Sequence, residues 1–329
     1  MSGAQIAVVG AGLMGRWHAS AASLTGAEIA AVVDVRLDAA SALAARHGEA
    51  STYSDLESAL SAAPIDVVHV CTPTEEHAAL VGIALERGCH ALVEKPLAES
   101  LAETEALLAQ AQERGLAVNP VHQFPFQPGF RNVLERRARL GELVRVSYRT
   151  CSAGGEGRPP DERRRVLLEI LPHPVSLLHH LFRLSFDLAE VEVVRFTEDD
   201  LDLVGTLGDT RLDVSISLRG RPTRNELEVV GERASALVDL FHGYAVVEGG
   251  RVSRSAKALR PFALGGLLVA KAGGNLASRT LRREPAYPGL RELIRRFHAA
   301  GLAGREPPVP EAETLAAARL LERVRAGHA

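Results

Sequence analysis

The apolar run Ala91-Leu92-Val93 ends in Glu94-Lys95-Pro96, a carboxylate, an ammonium and a proline in succession. A short apolar run bounded in this way reads as a buried strand, and open α/β sheets bind ligands at the carboxyl ends of their strands. Pro96 confines the residue before it to extended conformations, so Lys95 leaves the strand in a defined direction. Lys95 is the first candidate for a catalytic residue, a cation able to stabilise a developing alkoxide or to exchange a proton, with Glu94 placed to orient it. The second grouping is Glu169-Ile170-Leu171-Pro172-His173-Pro174. Each proline inside a continuous helix costs about 3 kcal/mol or more, so the spacing predicts a break here and a new helix with Pro174 as its first residue. His173 then sits at a helix N-terminus, where the dipole disfavours imidazolium and leaves a neutral ring able to accept a proton. Simple capping of the helix is the competing role. Glu169 is the candidate to orient His173.

Upstream, Ile6-Ala7-Val8-Val9 leads into Gly10-Ala11-Gly12-Leu13-Met14-Gly15, a helical segment and a second apolar run that closes on Asp34. Gly10 permits a tight turn, Gly12 lets the backbone approach a pyrophosphate, and Gly15 lets helix and strand pack closely. Asp34 lies 19 residues beyond Gly15, the spacing at which a carboxylate meets a ribose 2′-hydroxyl. This points to a dinucleotide held by Gly10, Gly12, Leu13, Met14, Gly15 and Asp34. Arg36 is able to pair with a 2′-phosphate that Asp34 would repel, so NAD is favoured and NADP stays open. Thr72, Pro73 and His77, after the buried strand 67–71, are placed to line the nicotinamide pocket beside Glu94, Lys95 and Pro96. For His77 a buried ring satisfied by backbone is an equal alternative.

The elements that must position these groups alternate strand and helix as far as residue 119, which means a doubly wound parallel sheet. From Asn119 to Pro128 the chain is proline-rich without helical period, and the expected boundary separates a domain at 1–121 from one at 122–329. His122 and Gln123, leaving the last strand, are candidate substrate contacts or simply linker. Residues 153–165 read as a Gly/Pro/Arg-rich loop whose Arg158, Arg163, Arg164 and Arg165 suit a phosphate. Several consecutive strands between 188 and 248, with a Gly208-Asp209 hairpin, mean an α+β second domain on a largely antiparallel sheet. Its open face calls for a cover such as a second subunit. The stretch 257–283, with Arg279, lines a substrate cleft or forms a loosely patterned helix.

With 38 Lys plus Arg against 41 Asp plus Glu, the net charge of −3 offers no global field for nucleic acid. The three cysteines have neither disulfide nor zinc spacing, and no metal site is expected. They fit a reducing compartment, and the chain start shows no leader pattern, so a cytoplasmic location is expected. The longest apolar stretch, 262–272, is too short to span a bilayer, and no membrane partner is expected.

Taken together, Gly10-x-Gly12-x-x-Gly15, Asp34, Thr72-Pro73-x-x-x-His77, Glu94-Lys95-Pro96 and Glu169-x-x-x-His173 resemble the glucose–fructose oxidoreductase/inositol dehydrogenase (Gfo/Idh/MocA) family of NAD(P)-dependent oxidoreductases. The resemblance covers nearly the whole chain and is strongest in the first 125 residues. It implies a Rossmann domain followed by a sheet domain, a tightly held nicotinamide cofactor, and hydride transfer at a carbinol carbon of a sugar, cyclitol or nucleotide sugar. A homodimer or homotetramer through the sheet face is also implied, with Lys95 as the catalytic lysine. Where the family commonly shows Asp-x-Gly-x-His-x-x-Asp, this chain has Glu169, Leu171, His173 and Ser176, which alters the substrate side more than the chemistry. Two rivals stand beside a sugar dehydrogenase: a reductase of an imine or alkene on the same fold, and a dinucleotide-binding sensor without chemistry.

Overall fold

The computed structural model describes residues 3–48, 50–183, 190–250, 253–284 and 286–327. In chain order the elements are β1 (Gln5–Val9), α1 (Leu13–Ser23), β2 (Glu28–Val33), α2 (Leu37–Ala44), β3 (Ser51–Tyr53), α3 (Leu56–Ala62), β4 (Val67–Val70), α4 (His77–Glu86), β5 (His90–Val93), α5 (Leu101–Glu113) and β6 (Val118–Pro120). Then follow α6 (Pro128–Glu135), α7 (Arg137–Leu140), β7 (Leu143–Cys151), α8 (Pro160–Ile170), α9 (Pro172–Phe182), β8 (Glu190–Phe196), β9 (Asp200–Leu207), β10 (Thr210–Ser217), β11 (Arg224–Gly231), β12 (Ala234–Asp239), β13 (Tyr244–Gly249), α10 (Arg254–Arg282), α11 (Leu290–Gly301) and α12 (Glu311–Ala326).

Two compact units result, one of residues 1–122 and 290–323, the other of 123–289 and 324–329. The expected second domain at 122–329 therefore needs correcting, because the chain returns to the first unit with α11. In that unit β3-β2-β1-β4-β5-β6 form one sheet, parallel throughout. Strand alternation sends Val68, Val70, Ala91 and Val93 into a core shared with Leu56 of α3, Val81 of α4 and Leu107 of α5. The other face of β4 and β5 then carries His69, which is in register with Leu92, and two residues on, Glu94. There α11 packs on α1 and β5, burying Leu293, Ile294, Phe297 and His298. The amphipathic stripe of α11 is plain in the sequence, but the layer it covers is not.

Helix starts are well determined locally. Asp55 caps α3 by accepting from the Ser58 N–H at 2.8 Å, and Ser100 with Glu103 forms a reciprocal capping box on α5.

The second unit holds seven strands in the order β13-β12-β11-β7-β10-β9-β8, antiparallel except for the β7–β10 pair. This matches the expected α/β chain with a largely antiparallel second sheet. Two local expectations change, and a third, the helical reading of 257–283, is met. The 153–165 loop ends at Pro160, where a proline at the first position with Asp161 and Glu162 behind it starts α8, so Arg163, Arg164 and Arg165 are helical. The break between α8 and α9 falls at Leu171, which makes Pro172 and not Pro174 the first residue of α9. Residues 254–282 are one helix despite Pro261 and its glycines.

Candidate functional site

The glycine turn after β1 is built as its spacing demands. Gly10 has φ +94°, and a Cβ there would lie 2.7 Å from the Cys71 carbonyl oxygen at the end of β4. A Cβ on Gly15 would overlap the Gly10 carbonyl oxygen, so α1 sits directly against the turn. Gly12 differs from both. It caps α1 in an extended conformation, offers the first helical N–H groups no side-chain cap of its own, and a Cβ would meet nothing within 4 Å. Open space over an uncapped helix N-terminus is where an anionic pyrophosphate fits. Leu13, 60 % exposed, and half-buried Met14 flank it.

Asp34 follows β2 and is tied into the same turn. Its Oδ2 accepts from the Ala11 N–H at 2.8 Å and its Oδ1 from the Arg36 N–H at 2.9 Å, with the Arg36 guanidinium 3.5 Å away. Burial works against the charge, but the two backbone bonds and Arg36 hold its carboxyl below the usual range.

At the ends of β4 and β5 the structure brings together Thr72, Pro73, His77, Glu94, Lys95 and Pro96. The His77 ring is buried, with Nδ1 2.9 Å from the Pro96 carbonyl oxygen and Nε2 3.0 Å from that of Thr72. An N–H of the ring donating to one of these carbonyls is the backbone-satisfied alternative. The Thr72 hydroxyl is buried and lacks a hydrogen-bond partner among the described residues. A ligand hydroxyl or amide would remove that deficit, which again fits a dinucleotide here. Lys95 is half-buried. Glu94 is buried, and burial opposes its charge, yet the hydrogen bond with His18 and the charge of Lys95 keep its pKa lowered.

Sequence reasoning missed what stands behind Glu94. His18 Nε2 lies 3.1 Å from Glu94 Oε1, His18 Nδ1 3.2 Å from His69 Nδ1, and His69 Nε2 2.9 Å from His298 Nε2. The first two rings have no exposed surface and the third is 6 % exposed. Two signals were available. His69 interrupts the apolar run 67–70, and His18 falls on the buried stripe of α1 with Gly15, Ala19 and Ala22. Their union with His298, 229 residues beyond His69, has no local trace.

In the second unit His173 lies in the first turn of α9, buried, with its ring centroid 4.3 Å from that of Phe124. Both line a cavity of about 1030 Å³ together with Gln123, Phe241, Arg279 and Tyr287. Arg279 donates there to the carbonyl oxygens of Glu284 and His242, each at 3.0 Å. Glu169 is half-buried on α8, four residues before His173. Arg158 is paired with Glu162 at 3.8 Å and is not one of the residues lining the cavity. His122 belongs to the first unit, where its Nδ1 meets Glu313 Oε1 of α12 at 2.7 Å with both groups buried. It therefore separates from its neighbour Gln123.

Strand order 3-2-1-4-5-6, the glycine turn on α1 and the acid after β2 define a Rossmann-type dinucleotide-binding unit. Residues 4–122 match the family described as "Oxidoreductase family, NAD-binding Rossmann fold". The 4-carboxy-2-hydroxymuconate-6-semialdehyde dehydrogenase of Sphingobium sp. is 30 % identical over 181 residues, 53 % of this chain and 57 % of that protein. The D-glucoside 3-dehydrogenase of Escherichia coli is 37 % identical over 160 residues, 46 % of each chain. The chain thus spans about half the length of these two relatives. The solved structure of a UDP-N-acetylglucosamine 3-dehydrogenase from Acidithiobacillus ferrooxidans superimposes with a TM-score of 0.76 over 99 % of this chain and 98 % of that one, at 20 % identity, a likeness of fold. Among the described residues no helix is long and apolar enough to cross a membrane.

Proposed function

We propose that the protein is an NAD-dependent oxidoreductase that moves a hydride between the cofactor and a carbinol or ketone carbon of a sugar-like polyol. The observation that carries this is the uncapped, open Gly12 end of α1 beside the backbone-anchored Asp34 carboxylate and the orphaned Thr72 hydroxyl. When bound, the nicotinamide supplies the hydride acceptor or donor. Gly10, Gly12, Leu13, Met14 and Gly15 would seat its pyrophosphate, and Asp34 would accept from a ribose hydroxyl where a 2′-phosphate would meet like charge. Arg36 is already paired with Asp34, which supports NAD over NADP. Lys95, with buried Glu94 adjacent in the chain, is assigned to exchange a proton with the substrate oxygen and to stabilise it as an alkoxide. His173, with Glu169 four residues before it to orient it, is the second candidate to exchange that proton. It lines with Gln123 and Arg279 the cavity of the second unit assigned to substrate binding, a space of aromatic rings and a few polar groups. Dehydrogenases of a glucoside and of a semialdehyde among the relatives support an oxygen-bearing carbon as the reacting centre.

A cytoplasmic location is proposed from the three free cysteines. Exposed Val144, Val194 and Leu237 on β7, β8 and β12 support a homodimer or homotetramer, which light scattering on the eluting protein would size. The decisive experiment is titration of the cofactor-free protein with NADH and NADPH, followed by turnover on myo-inositol, methyl glucoside and UDP-N-acetylglucosamine with NAD. Tighter NADH binding and turnover lost in both Lys95→Met and His173→Asn is the expected result. Saturable binding without turnover on a broad polyol and keto-sugar panel would favour a sensor, and no binding of either cofactor would overturn the proposal.

A further inference from the structure

The row of buried rings behind Glu94 is not needed to bind a dinucleotide. Its hydrogen bonds fix more than position. A neutral imidazole has one N–H and one acceptor nitrogen, so each ring in a row passes its direction on to the next. With Glu94 ionised, His18 must donate from Nε2 to Oε1, which makes His18 Nδ1 an acceptor. His69 then donates from Nδ1 and accepts at Nε2, and His298 donates from Nε2. Every contact in the row is satisfied with all three rings neutral. There is a second fully bonded arrangement in which Glu94 carries the proton and donates to His18 Nε2, while every ring holds the opposite tautomer. The two arrangements differ by one proton.

We propose that His298, His69 and His18 are positioning residues that relay one proton between the α11 side of the first unit and Glu94, so that Lys95 is recharged from within the protein. The assignment rests on Lys95 exchanging the reaction's proton. In the reducing direction Lys95 gives a proton to the substrate oxygen, and a protonated Glu94, on whose carboxyl Lys95 acts through its charge and its backbone N–H, gives one back. A proton taken up at His298 Nδ1 drives the three N–H hydrogens one step along the row and restores the proton on Glu94. The second arrangement becomes the first when a proton runs outward, as oxidation of an alcohol requires. No redox partner beyond the nicotinamide enters, and each transfer breaks one N–H or O–H bond and forms another.

The surroundings suit this use. Burial lowers His69 well below the ordinary histidine range and pushes His298 down to about 4, so both rings are neutral at pH 7. The titratable groups acting on the row are Asp66 and His90 at the His298 end, and Cys71 and Lys95 at the Glu94 end. Burial, then the charge of Glu94, holds the Cys71 thiol protonated, so it does not compete for the proton. Among the described residues no three His, Cys, Asp or Glu side chains converge on a point that would hold a metal ion, so the row is not a ligand set.

The wild-type protein labelled with ¹⁵N-histidine tests the row without any substrate. At pH 7 the imidazole nitrogen shifts should report Nε2–H for His18 and His298 and Nδ1–H for His69, and acidification should reverse all three together. Independent titration of the rings, or an imidazolium at pH 7, would overturn the relay. Where wild type turns over any of the three probes of the preceding section, His69→Phe should lower turnover at least tenfold with NADH affinity unchanged. His298→Ala should lose a similar factor and regain it with added imidazole, a rescue that a purely structural role would not give. Turnover within twofold of wild type in a folded His69→Phe, or no imidazole rescue, also overturns it. If wild type turns over none of the probes, the proposed chemistry fails separately and the tautomer order alone decides the relay.

Discussion

Replacing Gly12 with alanine separates the cofactor from the fold. The backbone at this position, φ −70° and ψ −159°, is open to any residue, and the added Cβ meets nothing within 4 Å. Loss of a good N-cap costs about 1 kcal/mol, and a less flexible unfolded chain offsets part of it, so stability should change by about 1 kcal/mol or less. Binding should respond differently. A methyl group over the first turn of α1 keeps a phosphate oxygen from the helix N–H groups, and each charge-assisted bond lost is worth about 1.5–3 kcal/mol. One such loss weakens NADH binding roughly 10- to 100-fold. Trp17, the single tryptophan, lies on α1 and supplies the donor for energy transfer to NADH, so one titration reads the affinity. Urea unfolding of the same samples reads the stability. Gly15→Ala is the contrast, since its Cβ would overlap the Gly10 carbonyl oxygen, and it should cost about 1–3 kcal/mol or more. A folded Gly12→Ala protein that binds NADH as wild type does would show that no phosphate sits on this helix end.

Asp34→Ser should shift the ratio of NADH to NADPH affinity toward NADPH by roughly tenfold or more, because it removes the charge that repels a 2′-phosphate, and parallel titrations check it. Glu313→Ala strips a buried His122 of its hydrogen-bond partner and should cost about 1–3 kcal/mol in urea unfolding, whereas a substrate role for His122 would show as lost turnover with stability kept. Stability should also fall on acidification. Burial puts His298 at about 4 in the folded protein against 6.5 when unfolded, so the unfolded chain binds the extra proton between those values. The contribution is present above pH 6.5 and lost as pH drops through 4, about 3 kcal/mol for this ring alone, and His298→Phe should flatten that part of the pH profile.

What was legible in the sequence is what local chemistry dictates. Gly10 and Gly15 could be assigned separate tasks because each task is set within a few residues, by the sign of φ and by the width of a helix–strand contact. The same holds for the break at Leu171, off by two residues only because Pro172 and Pro174 both suit a first turn. The 153–165 stretch was misjudged where composition outweighed capping, since Pro160-Asp161-Glu162 is a helix start in its own right.

The histidine row was hidden for a different reason. A doubly wound sheet that reverses direction after β3 places α3, α4 and α5 on one face, and α1 alone leaves the β4–β5 part of the other face open. Nothing within the first 122 residues says what closes it. Alternation in β4 and β5 aims His69 and Glu94 into that opening, so two polar groups would be buried there in want of partners, a cost of about 1–3 kcal/mol each if left unpaired. His18 from α1 and His298 from α11 supply those partners, and α11 brings Leu293, Ile294 and Phe297 to seal the same layer. The polar row and the apolar seal thus depend on one helix. A substitution such as Phe297→Ala should therefore loosen the layer by about 3–5 kcal/mol and let water reach the rings. Water there would make the three histidines titrate one by one in the ¹⁵N experiment, so retained concerted titration in a folded Phe297→Ala protein would refute the claim that the seal holds the row together.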